Sequence, residues 1–195
     1  MSTEDLKTQL KRWSERWSLQ NLDHTEHWFG RMLLCSFEPD EHLVHAGAIT
    51  DTIYLLESGL VRLYYTTSDG KERNKAFFTG EQVTGAVSAA ITGTSAPFSI
   101  QALEPTRAIS FHYSDLLDAA GKNPDIARLL LQLTNHAFIR NEQREAMLLT
   151  LNAQERYAWV LENEPDLVGR VAQFHLASYL GVDAVSLSRL KKKFT

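Results

Sequence analysis

Cysteine is almost absent: Cys35 stands alone among 195 residues. A lone thiol excludes a disulfide within the chain, and any four-thiolate zinc or iron–sulfur site built by one chain. It fits a reducing compartment. Long apolar runs are also missing. No stretch approaches the roughly 18 residues of a membrane-spanning helix. The N-terminal MSTEDLKTQLKRW has no apolar signal core. These absences predict a cytoplasmic protein with no membrane segment. The usual catalytic motifs are lacking too: there is no G-x-S-x-G elbow, no P-loop and no dinucleotide fingerprint. Glu81 has no evident acid–base partner, so no enzyme is expected. Seven histidines are present, but their spacing is poor for chelation. His24 and His27 share a helix face at i,i+3, whereas His42 and His45 in HLVH project to opposite faces of a strand. No metal, haem or other cofactor is expected, and His175 is read as exposed.

What is present is globular in character. Hydrophobic residues make up 44% and charged residues 23%, which excludes disorder and fibrous repeats. The length allows one or two domains with an ordinary core. The net charge of −4 is unevenly placed. Arg170 to Thr195 carries +4, leaving −8 on the residues before it. A basic end on an acidic body is a cue for a polyanionic partner; a solvated basic tail gives the same count.

Four parts follow one another along the chain. Residues 3 to 37 read as helical. Leu6, Leu10, Trp13 and Trp17 are spaced 4-3-4 with charged residues between them, and a second helical stretch runs from about Thr25 to Cys35. Residues 41 to 113 are β-rich: HLVHA, TIYLLE, LVRLYYTT, KAFF, FSIQAL and RAISFHY. Gly47, Gly59, Gly70 and Gly80 punctuate these runs at intervals of 12, 11 and 10, the rhythm of an antiparallel barrel or sandwich. Asp69-Gly70 predicts a hairpin with a type I′ turn. The segment GEQVTGAVSAAITGTSAP predicts a short helix or loop inserted in the barrel. Residues 114 to 150 are helical again, with a start at Asn123-Pro124. There Ile126, Leu130, Leu133, Ala137, Arg140, Arg144, Met147 and Leu151 are spaced 4-3-4-3-4-3-4. That is a heptad seam suited to a partner helix; Arg140 and Arg144 mark either where the helix leaves its partner or where Glu142 and Glu145 of the other copy pair. Packing against the chain's own domain would produce the same stripe. Residues 151 to 195 form a short helical domain: one helix from Ala153 to Glu162, a break at Asn163-Glu164-Pro165, and two more helices.

The sharpest pattern is QFHLASYLGVDAVSLSRLKK. Ala177 is small where two helices cross, Gly181 permits a left-handed end to the first helix, and Asp183 caps the second. Leu176, Leu180, Val182, Leu187 and Leu190 point inward. This is the helix-turn-helix arrangement that binds DNA; an ordinary helical hairpin is the alternative. The predicted nucleic-acid contacts are Asp183, Ala184, Val185, Ser186, Ser188, Arg189, Lys191, Lys192 and Lys193. Arg189 can fork to guanine or clamp a phosphate. Ala184 and Val185 offer apolar contact. The lysines point in successive directions and suit phosphates.

In this order, the elements resemble the Crp/Fnr family of bacterial transcription regulators. The likeness rests on HAG at 45–47, YLLESGLVRLYY at 54–65, DGKE at 69–72, GE at 80–81, QALE at 101–104 and ASYLGVDAVSLSRLKKKF at 177–194. The resemblance implies an α+β fold: an antiparallel β-roll (a double-stranded β-helix) with N-terminal helices over 1–113, a long dimerisation helix over 114–150 and a helix-turn-helix domain over 151–195. It implies a homodimer that binds double-stranded DNA at an inverted repeat, with RNA polymerase as a candidate partner. Ile126, Leu130, Leu133, Ala137 and Arg140 are the expected dimer contacts. Gly80, Glu81, Gly85 and Ser99 mark the expected effector pocket, whose effector is unknown. The phosphate cassette departs from the cyclic-nucleotide pattern. Gly80-Glu81 match, but Gly85-Ala86 lacks the second acid, and Ala96-Pro97-Phe98-Ser99 stands where an arginine neutralises the cyclic phosphate. Cyclic nucleotides are therefore not expected to bind. The alternative function is a small-molecule-binding β-roll whose helical tail contacts protein.

Overall fold

The computed structural model describes residues 12, 13, 15, 17, 19 and 23–194. Two compact units emerge. One comprises the described residues up to Val61 with Phe78–His136; the other comprises Arg62–Phe77 with the chain from Ala137 onward. The elements in order are α1 (Glu26–Gly30), β1 (Leu33–Phe37), β2 (His42–Val44), β3 (Thr52–Ser58), β4 (Leu60–Thr66), β5 (Glu72–Thr79), β6 (Val83–Gly85), α2 (Val87–Thr92), β7 (Ser99–Ala102) and β8 (Thr106–His112). Then come α3 (Tyr113–Lys122), α4 (Pro124–Thr150), α5 (Ala153–Asn163), α6 (Pro165–Arg170), α7 (Gln173–Leu180) and α8 (Ala184–Lys191). The fold is α+β: two four-stranded sheets in a β-roll, then a long helix and C-terminal helices. The strand orders are β1-β8-β3-β6 and β2-β7-β4-β5.

In the first unit, strand alternation builds the core. The pairs Ile53↔Phe111 and Leu55↔Ile109 face each other across β3 and β8. Side chains two residues apart share a sheet face, and these four are buried with Trp28, Leu116, Ile126 and Leu129. Trp13, which the sequence places on an amphipathic helix, is 5% exposed and meets Trp28 edge-on at 5.9 Å. Leu6 and Leu10 lie outside the described residues. Gly59, with φ +97°, lets the β3–β4 turn close on β8: a Cβ there would stand 2.7 Å from Thr106 Cα. Such an approach leaves no room for a side chain.

Four local expectations are corrected. Only Glu26–Gly30 of the stretch from Thr25 to Cys35 is helical; Leu33–Phe37 is β1, paired to β8 from Leu33↔Ser110 to Phe37↔Thr106. Periodicity cannot separate helix from strand in so short an apolar run, and the distant strand decides. The hairpin at Asp69-Gly70 is a three-residue loop. Gly70 donates to Thr67 O at 2.9 Å, Thr67 N donates to Lys71 O at 2.9 Å, and only Gly70 (φ +79°) is left-handed. This is a type I turn closed by a left-handed glycine, not a type I′ turn. His42 and His45 do not diverge: their rings stack at 4.2 Å. The register shifts between His42 and Val44, and β2 ends at Val44, so strand parity does not carry through to His45. Finally, three helices follow α5 rather than two, because Pro165 opens the short α6. A proline tolerated at a helix start does not only break helices.

The second unit is tied by backbone capping. Asn152 opens α5 with a capping box: its side chain accepts from Gln154 N and Glu155 N, while Glu155 accepts from Asn152 N at 2.8 Å. Arg156 then donates to Leu148 O at 2.8 Å, Leu151 O at 2.9 Å and Leu180 O at 3.0 Å. One guanidinium thus satisfies carbonyls at the ends of both α4 and α7, groups a helix leaves open. Leu176, Leu180, Leu187 and Val160 are fully buried around this joint.

Candidate nucleic-acid interface

The turn between α7 and α8 follows from three residues. Gly181 (φ +67°) donates to Ser178 O at 3.2 Å, and Val182 donates to Ala177 O at 3.0 Å. These are the paired bonds of a helix ended by a left-handed glycine. Ala177, 2% exposed, lies at the crossing. Asp183 then starts α8: one carboxylate oxygen accepts from Ser186 N and the other from Ser186 Oγ, both at 2.7 Å. The Ser186 N–H and hydroxyl hold the Asp183 carboxyl below its ordinary value. Gln173 donates to Ala184 O at 3.1 Å and fixes the beginnings of the two helices to each other.

The predicted contact residues then separate by role. Leu187 is fully buried and orients α8. Ala184, Val185, Arg189, Lys192 and Lys193 are exposed, while Ser186, Ser188 and Lys191 are half-buried. Asp183 and Ser186 spend their polar groups on the cap, so they hold the helix in place. Arg189 is the exposed guanidinium of α8, and Val185, 61% exposed, is its large apolar face. Phe194 packs edge-on against Tyr157 at 5.3 Å and anchors the chain just past the lysines.

His175 is not exposed. At 8% exposure it is buried with Arg62 and Asn74. Its Nδ1 faces Arg62 Nη1 at 3.3 Å and Asn74 Nδ2 at 3.4 Å. Both neighbours donate, so Nδ1 acts as the acceptor. Sequence pattern misses this cluster because His175 lies more than a hundred residues beyond Arg62 and Asn74 and no motif links them.

The seam on α4 faces inward. Ile126 is fully buried in the first unit's core, and Leu130 and Leu133 are partly buried against that same core. Arg140 donates to Phe77 O, and Arg144 donates to Tyr179 O, with its guanidinium 3.8 Å above the Tyr179 ring. Of the residues assigned to the partner, Ala137 alone is exposed. Part of the heptad stripe thus packs within the chain, and a stripe displaced by one position is more exposed. Ala127, Leu131, Thr134 and Phe138 keep the 4-3-4 spacing and are all exposed, Leu131 by 59% and Phe138 by 61%.

The four residues of the expected effector pocket lie just after β5 (Gly80, Glu81), in β6 (Gly85) and in β7 (Ser99). A Cβ at Gly80 would lie 2.8 Å from Glu57 O, and one at Gly85 would lie 2.6 Å from Ile53 Cδ1. Glu81 is exposed on a left-handed turn (φ +68°), and its N–H donates to Leu56 O at 2.7 Å. Ser99 Oγ accepts from Ala46 N at 2.9 Å. Ala96, at the place of the expected arginine, is 2% exposed and exchanges backbone bonds with the 47–48 segment. Across residues 80–99 the only charged side chain is Glu81. Among the described residues, no group of three histidine, cysteine or acidic side chains is arranged to hold a metal ion. No described helix is long and apolar enough to cross a membrane.

A β-roll followed by a long helix and C-terminal helices is an order that the chain shares with known bacterial regulators. Residues 34–123 match the family model described as the cyclic nucleotide-binding domain. The fumarate and nitrate reduction regulatory protein of Vibrio cholerae is 27% identical over 165 residues, covering 79% of this chain and 65% of that protein. The anaerobic regulatory protein of Haemophilus influenzae is 27% identical over 163 residues, covering 78% and 63%. The chain thus spans a little under two-thirds of these relatives' length. The structure of FixK2 from Bradyrhizobium japonicum has a TM-score of 0.73 at 25% identity and covers 83% of each chain. In sequence and fold the chain is similar to regulators of the Crp/Fnr type. The relatives named here are regulatory proteins, not enzymes.

Proposed function

We propose that the protein is a dimeric, sequence-specific DNA-binding transcription regulator whose β-roll lacks a cyclic-nucleotide phosphate clamp. The observation that carries this reading is the outward face of α8. Arg189 is exposed there beside Val185, on a helix fixed by Asp183, Leu187 and Gln173, and Lys192 and Lys193 are exposed just past its end. Arg189 suits a guanine edge in the major groove, the lysines suit phosphates, and Ala184 and Val185 suit a thymine methyl. Two copies related by a two-fold axis would read an inverted repeat with half-sites about one helical turn apart. The outward stripe of α4, centred on Leu131 and Phe138, is the dimer contact in this reading.

Two observations support loss of the clamp. Ala96 is buried where the arginine is expected, and no cation occurs between residues 80 and 99. A phosphate in an apolar site without a paired cation carries a large desolvation cost. Enrichment of genomic fragments by the purified protein, followed by titration at several salt concentrations, tests the reading. A shared inverted repeat, bound with affinity that falls steeply as salt rises, is the expected outcome. Retention of all fragments alike would remove sequence-specific regulation as the function.

A further inference from the structure

Strand β5 ends the order β2-β7-β4-β5 and is therefore an edge strand. Edges carry open backbone groups that a fold must cover. Here the helix-turn-helix covers two of them. Asn74 N donates to Ser178 Oγ at 3.0 Å, and Ser178 Oγ donates onward to Glu72 O at 3.1 Å. One hydroxyl of α7 thus serves two backbone groups of β5. In return, Asn74 Nδ2 donates to His175 O at 2.9 Å. Behind this contact, Arg62 pairs with Glu72 at 2.5 Å and lies 4.0 Å above the Tyr64 ring. On α4, Arg144 donates to Asn74 O at 3.5 Å and to Tyr179 O, and Lys75 donates to Asn141 at 3.1 Å.

We propose that the edge of β5 is a seat that sets the angle of the helix-turn-helix against α4, with Ser178 and Asn74 as positioning residues for DNA recognition. Arg62, Asn74 and His175 are each under a tenth exposed. Burying such polar groups is costly unless they bond one another, so the seat strongly favours one docked geometry. It leaves the outward face of α8 open. In a dimer joined along α4, the angle between α4 and the helix-turn-helix fixes the separation of the two recognition helices. The seat therefore determines which half-site spacing is read, while Arg189 governs which bases are read. This inference rests on the DNA-binding reading above.

The test uses the full chain and the enriched inverted repeat, with the spacer kept or changed by a couple of base pairs, and a single half-site against a scrambled one. The variants are Ser178→Ala, Ser178→Thr and Asn74→Ala. Ser178→Ala is expected to keep the fold and the preference for the correct half-site. It should speed hydrogen exchange at the Asn74 amide and reduce the preference among spacers to about unity, from the fixed spacing that a rigid dimer demands. Ser178→Thr, which keeps the hydroxyl, is expected to restore the spacer preference, and Asn74→Ala to follow Ser178→Ala. Three results overturn the seat: unchanged spacer preference in Ser178→Ala, unchanged Asn74 exchange, or equal loss of half-site and spacer preference. A parent protein with no preference for any DNA overturns the DNA-binding reading itself, and the seat with it.

Discussion

Two segments of similar length, 80–99 and 173–193, hold most of the residues that the sequence leads one to expect at an effector pocket and at DNA. Their chemistry is opposite. The first carries one charge, Glu81; it packs Gly80 and Gly85 closely against β3 and spends the Ser99 hydroxyl on Ala46 N. The second carries four cations and one anion, spends the anion on a cap, and leaves three of the cations exposed. The difference shows that fold and function separate within a single chain. A β-roll persists through packing alone, but a site needs polar groups that the fold has not already consumed. The 173–193 segment exposes three cations, whereas the 80–99 segment contains none.

The comparison can be broken most severely at the dimer. Leu131→Glu combined with Phe138→Glu should yield monomers by light scattering, with affinity for the inverted repeat lower by about a hundredfold or more, because the second half-site is no longer tethered. Persistence of the parent mass would place the contact elsewhere. Next in size is the support beneath α8. Leu187→Ala removes a fully buried side chain and should cost about 2–5 kcal/mol of stability, visible as a lower unfolding midpoint and loss of DNA binding. A smaller effect is expected at the cap. The folded Asp183 carboxyl lies below its ordinary value of 3.8. Its contribution is therefore complete above that value and is lost as pH falls through the folded value. Asp183→Ala should fray the start of α8, seen as faster exchange at the Ser186 amide, and should flatten this acid dependence. The smallest effect sharpens the other side of the comparison: titration of the protein with cyclic AMP or cyclic GMP should release no heat. Micromolar binding would require a clamp outside residues 80–99.

Much of this was legible in the sequence, and the limits have physical causes. The glycine rhythm and alternating runs identify the β-roll because strand parity and turn conformations are local. Ala177, Gly181 and Asp183 announce the helix-turn-helix because crossing, left-handed exit and cap each demand a residue type within a few positions. The face of α4 was not legible. Ile126, Leu130 and Leu133 show that an apolar stripe exists, but not whether a partner or the chain's own core receives it. Arg140 and Arg144 look like interruptions in a seam until Phe77 O and Tyr179 O appear opposite them. The cluster of Arg62, Asn74 and His175 was equally hidden, since a long-range hydrogen-bonded group leaves no periodic trace.

The most direct test compares the affinities of the parent protein and Arg189→Ala for the enriched repeat and for scrambled DNA at one salt concentration. A bidentate guanine contact is worth about 1–3 kcal/mol of discrimination. The account predicts that Arg189→Ala keeps fold, dimer and scrambled-DNA affinity while the ratio of specific to non-specific affinity collapses. A ratio equal to that of the parent would contradict it and make Arg189 a phosphate clamp.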